Sequence, residues 1–134
     1  MTNSDARRGL TRILLLDAAT CAVMGLLLLL ASGPVGGRTG IPAALLFYAG
    51  AALIPIALYM ALVARWAVGN HLAVWLVILG NIGWVLASFG LFAFIAPDGL
   101  GIAFILAQAA IVAVLARLEY AAWRTSGAAY PSAA

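Results

Sequence analysis

Apolar residues run along this chain in four long blocks, divided by short segments rich in glycine, proline and charge. The first block covers residues 12–32. It stops where Gly33, Pro34, Gly36, Gly37 and Gly40 predict a loop. The second covers 42–64, with Pro42 suited to a first helical turn. A connection through Arg65 and Asn70 leads to the third, 71–96. Pro97, Asp98 and Gly99 then predict a tight turn into the fourth, 100–123. The blocks are about twice the length of a membrane strand and do not alternate in polarity, so they predict helices. At ~1.5 Å per residue each matches the thickness of a hydrocarbon core. Pro55, inside the second, predicts a kink.

This pattern gives an all-α membrane protein, an antiparallel four-helix transmembrane bundle over 12–123. A cytoplasmic segment, 1–11, precedes it, and a small, polar, disordered cytoplasmic tail, 124–134, follows. Composition strengthens the reading. The chain is 66% hydrophobic and 8% charged, with mean hydropathy +1.15. A soluble domain needs roughly a quarter of its residues charged to cover a watery surface. The run 13–32 follows Arg7, Arg8 and Arg12 but is too long for a signal-peptide core, which predicts a retained helix.

Charge then orients the bundle. All seven basic residues are arginines at the ends of the blocks, so the net charge of +3 forms no clustered nucleic-acid patch. With four spans, Arg7, Arg8, Arg12, Arg65, Arg117 and Arg124 share one side, and Arg38 alone lies on the other. That bias predicts both termini in the cytoplasm of a bacterial inner membrane. Trp66, Trp75, Tyr120 and Trp123 fall at the same boundary, as an aromatic belt would.

Few polar residues lie inside the blocks. Asp17, Thr20, Cys21 and Met24 form one stripe on the first helix. Tyr48, Pro55 and Tyr59 share a face of the second. The third carries a small stripe of Gly80, Gly83, Ala87 and Gly90 beside a polar one of Asn81, Trp84 and Ser88. In the fourth, Arg117 and Glu119 point to opposite sides. Small residues permit close helix contact, so the Gly80–Gly90 stripe predicts a packing groove, with a ligand cleft as the alternative. Counting from the block ends places Asp17, Tyr59 and Arg117 near the cytoplasmic edge, and Cys21, Met24, Asn81 and Gln108 at mid-depth. A carboxylate inside a bilayer needs a partner, which predicts an Asp17–Arg117 ion pair with Tyr59 as hydrogen-bond donor. A proton or ion relay through the same residues is the alternative. Asn81 and Gln108 predict an interhelical hydrogen bond.

No residues assemble a catalytic or metal-binding centre. Cys21 is the only cysteine, which excludes an intramolecular disulfide and CxxC-type thiol chemistry, and His71 stands alone at the membrane edge. No cofactor is expected. In length, four-span layout and the run from Gly80 to Ser88, the chain resembles small integral membrane proteins of high-GC bacteria, which have no assigned activity. Asp17 is similar in place to the first-helix Glu of small multidrug exporters, without that family's surrounding pattern. Gly80-Asn81 is a short match to the Gly-Asn segment of fluoride channels. The expected role is non-enzymatic: an accessory or scaffolding subunit whose partners are the lipid bilayer, other membrane subunits or a second copy. A hydrophobic small molecule is a further partner class. The alternative is a small oligomeric transporter or channel with Asp17 as the coupling carboxylate.

Overall fold

The computed structural model describes residues 3–126, and the expected disorder of 127–134 lies outside them. Four helices follow in order: α1 (Asn3–Thr39), α2 (Ala43–Trp66), α3 (His71–Gly90) and α4 (Gly99–Thr125). A single 3₁₀ turn, Leu91–Ala93, extends α3. All four are long and apolar enough to cross a membrane. Large apolar side chains cover the outside, with Leu30 84% and Phe94 87% exposed, so the outer surface suits lipid rather than water.

Three boundaries differ from the sequence reading: α1 already begins at Asn3, so residues 3–11 are helical too. The segment 33–40 is helix up to Thr39, and α1 is about 55 Å long. Its only break is at Ala31 (φ −127°, ψ 24°), three residues before Pro34. The proline ring cannot pass the carbonyl one turn back, so the chain bends there and restarts, with Pro34 near the start of the new segment. Pro55, by contrast, sits within an unbroken α2. The third helix stops at Gly90 rather than Ala96. Asn70 caps α3 by accepting from the Ala73 amide at 3.2 Å, and Asp98 caps α4 by accepting from Gly101 at 2.9 Å.

α1 packs against α2 and α4, and α3 packs against α4, whereas α2 barely meets α3. The α2–α3 seam is bridged by the Tyr59 hydroxyl, which donates to the Ala73 carbonyl at 3.1 Å. At the opposite end, Thr39 pins α1 to α4. Its carbonyl accepts from the Asp98 amide at 3.0 Å, and its hydroxyl accepts from the Ile41 amide at 3.3 Å. Gly40 has φ +70°, the left-handed conformation that ends α1.

Midway along the bundle, a close helix contact joins Gly25 of α1 to Gly50 of α2. A methyl group on Gly50 would stand 2.8 Å from the Gly25 carbonyl, and one on Gly25 would stand 3.1 Å from the Gly50 carbonyl. The stripe expected to pack does not. Gly80, Gly83 and Gly90 have no neighbour within 4 Å of an added Cβ, and Ala87 is exposed. The polar stripe of α3 faces inward, with Asn81 and Ser88 buried. Gly25→Leu or Gly50→Leu should therefore overpack the α1–α2 crossing and cost about 1–3 kcal/mol. Gly83→Leu should leave the thermal midpoint in detergent unchanged; equal losses at all three positions would refute this account of the packing.

Candidate functional site

The inward faces bring two carboxyl groups together. Leu10, Leu14, Asp17, Ala18, Cys21, Gly25 and Leu28 recur at helical spacing and form the buried face of α1. On α4 the buried face carries Ile105, Ala109, Ala116 and Glu119, with Gln108 half-buried beside it. Asp17 and Glu119 are both 0% exposed. Between them stands Asn81 of α3, whose amide nitrogen donates to Asp17 Oδ2 at 2.6 Å and to Glu119 Oε2 at 3.1 Å. An amide nitrogen has two hydrogens, and here each carboxyl takes one. Three helices are tied by one side chain.

The Asp17–Arg117 pair is absent. Arg117 is exposed, and Asp17 turns to Asn81 and Cys21 instead. A long arginine near a helix end can extend its head away from the core, so it need not enter the bundle to escape an apolar layer. Tyr59 also misses Asp17 and bonds to the start of α3. The Cys21 thiol lies 3.7 Å from Asp17 Oδ1 and 4.0 Å from Met60 Sδ. Asn81 bonds across to the carboxyls, not to Gln108 as expected, so the two depths inferred from counting merge around Asp17. Glu119 was noted in the sequence but not placed in the site. Its spacing carried the signal: Gln108 and Glu119 are eleven residues apart, three turns along one face of α4.

Gln108 belongs to a second network above the first. Trp84 Nε1 donates to Gln108 Oε1 at 2.8 Å, and Gln108 Nε2 donates to Ser88 Oγ at 2.8 Å and the Ile105 carbonyl at 3.0 Å. Ser88 closes the circuit by donating to the Trp84 carbonyl at 2.8 Å. Every polar hydrogen in this network is used. In the carboxyl cluster Glu119 Oε1 is buried without a hydrogen-bond partner, as is Trp123 Nε1 one turn further along α4.

Two cavities flank the clusters. The larger, about 400 Å³, lies between all four helices; its wall includes Asp17, Met24, Tyr48, Trp84, Phe104 and Gln108. The smaller, about 300 Å³, follows the α2–α3 seam past Tyr59, Met60, Gly80 and Asn81. Cys21, Leu53, Trp84 and Val112 border both. The small stripe of α3 flanks this space, since Gly80 lines the smaller cavity and Ala87 the larger. Toward the arginine-rich end, Trp75 meets Trp123 edge-on at 5.0 Å, and Tyr120 stacks on Trp123 at 6.0 Å. Arg124 lies 5.7 Å from the Tyr120 ring centre. Among the described residues no group of three or more His, Cys, Asp or Glu is placed to hold a metal ion.

Asn81→Leu leaves Asp17 Oδ2 and Glu119 Oε2 without their donor in a buried layer, where each orphaned group costs about 1–3 kcal/mol. Its thermal midpoint in detergent should fall well below wild type, while Arg117→Ala should stay at wild-type stability. Equal destabilisation by the two would restore Arg117 to the cluster.

The chain matches no protein-family model, no curated protein and no solved structure.

Proposed function

We propose that the chain crosses a bacterial inner membrane four times, with both termini in the cytoplasm, and moves a small hydrophobic solute in exchange for a proton. The observation that carries this reading is the pair of fully buried carboxyls, Asp17 and Glu119, held by Asn81, with Asp17 in the wall of an apolar cavity of about 400 Å³. A merely structural polar layer would be expected to bring its own counter-charge or to use neutral amides, as the Trp84–Gln108–Ser88 network does. Two carboxyls that share one asparagine amide in an apolar layer would repel strongly if both were charged, which favours a site that takes up and gives off a proton. A group that exchanges a proton beside a solute-sized cavity is the minimum apparatus of coupled transport. Ionisable residues inside a bundle commonly mark such paths. No chemical transformation is part of this reading.

The orientation rests on the arginine bias and on the Trp75–Tyr120–Trp123 group at the same end. A second reading, an accessory or scaffolding subunit, is favoured by the unpartnered face of Gly80, Gly83, Ala87 and Gly90. Another helix, from a second copy or a different subunit, could approach closely there. That face and the transport path share the α2–α3 seam, so an occupant of one would obstruct the other.

Reconstitution into proteoliposomes with a pH dye inside tests the transport reading against a panel of cationic, neutral and anionic hydrophobic solutes. At least one solute should drive proton movement through wild-type protein, and Asp17→Asn and Glu119→Gln should each reduce it tenfold or more. No solute-driven movement, or movement that survives both substitutions, would remove the transporter reading and leave the scaffold.

A further inference from the structure

The walls of the larger cavity say which solute fits, on the premise that the chain is a proton-exchanging carrier. Apart from the hydroxyl of Tyr48, a residue 71% exposed, the side-chain hydrogen-bond donors that line it are already committed. The Thr20 hydroxyl donates to the Leu16 carbonyl at 2.7 Å, Ser88 to the Trp84 carbonyl, and Trp84 Nε1 to Gln108. Both hydrogens of the Gln108 amide go to Ser88 and Ile105. The Cys21 thiol faces Asp17. Beyond that one hydroxyl, an anion or a neutral solute that needs donors would have to break one of these bonds inside a low-dielectric wall. No basic residue lines either cavity. What remains on offer is apolar contact, the aromatic faces of Trp84 and Phe104, and the negative charge of the Asp17–Glu119 pair below.

We infer that the larger cavity binds an organic monocation with a bulky apolar body, which enters sideways through the α2–α3 seam and displaces the proton held by Asp17 and Glu119. The volume suits one drug-sized molecule. The route suits a lipophilic one. Tyr48 of α2 is 71% exposed and Ala87 of α3 is exposed, yet both also line the cavity, so its mouth opens to the apolar outer surface. Charge balances in the exchange. One cation arrives, one carboxyl O–H bond breaks and the proton leaves to water, so the site's net charge is unchanged. The guest takes the proton's place beside two carboxylates that repel too strongly to be charged together without a cation. Glu119 Oε1 is the buried carboxyl oxygen of the pair that accepts no hydrogen bond.

The test uses the full chain in lipid nanodiscs and three probes of similar shape: tetraphenylphosphonium, tetraphenylborate and neutral triphenylmethane. The cation should bind saturably at one per chain, releasing about one proton in weak buffer. Its affinity should fall about tenfold for each pH unit of acidification, as one-for-one competition requires. Asp17→Asn should abolish proton release and weaken binding at least tenfold. Ala87→Trp fills the cavity without touching the carboxyls, so it should remove binding even if Asp17→Asn fails to fold. Tetraphenylborate or triphenylmethane binding as tightly as the cation would overturn the inference, as would cation binding indifferent to pH. If a neutral solute instead drives the proton movement described above, the cation assignment fails while the carrier reading stands. If no probe binds and no solute drives protons, both fail.

Discussion

Two carboxyl groups, each removed from solvent and each holding one hydrogen of a single asparagine amide, constrain the rest of this bundle. Burying a carboxyl in an apolar interior is costly unless its oxygens find donors and its charge finds an answer. Asn81 supplies the donors. It also sets the rotation of α1, α3 and α4 about their own axes, because turning any of them by one residue would carry its polar group out of reach. From that requirement follow the inward direction of the α3 polar stripe and the outward direction of its small stripe.

The remaining contacts accommodate the cluster. Gly25 and Gly50 let α2 lie directly against α1, which draws α2 away from α3 and opens the seam that both cavities follow. Thr39 closes the end with a single arginine, binding α1 to the first turn of α4, while Tyr59 closes the seam at the arginine-rich end. The Trp84–Gln108–Ser88 network fixes α3 to α4 and spends its donors on itself, so the cavity wall it forms is chemically quiet. A bundle built this way has a satisfied polar wall, an apolar space and an acidic base. That sequence of layers is the physical ground for the proposed proton-linked carrier.

Much of the helical layout was legible in the sequence, since apolar block length is a strong signal and Asn70 and Asp98 mark real helix starts. The loop at 33–40 misled because glycine and proline break helices in water. Pro34 instead falls near the start of the segment that resumes after Ala31, where a missing amide hydrogen costs little. For the site, Asp17, Cys21 and Asn81 stood out as polar residues in apolar blocks and do converge. The partner was misjudged: opposite charge favoured Arg117, whereas the buried face of α4, traced from Gln108 to Glu119, selects a second acid. Glycine at helical spacing did not reveal which glycines pack. Gly25 and Gly50 look no different in sequence from Gly80 and Gly83, and only the three-dimensional crossing separates them.

The most direct check is solid-state NMR on the protein in bilayers, with the Asn81 side-chain amide labelled with nitrogen-15 and the carboxyl carbons of aspartate and glutamate labelled with carbon-13. The account predicts strong dipolar coupling from the Asn81 amide to the side-chain carboxyl carbons of both Asp17 and Glu119. It also predicts no coupling between Asp17 and the Arg117 guanidinium when that group carries the nitrogen label. Coupling of Asp17 to Arg117, with the Asn81 amide silent to both acids, would contradict it.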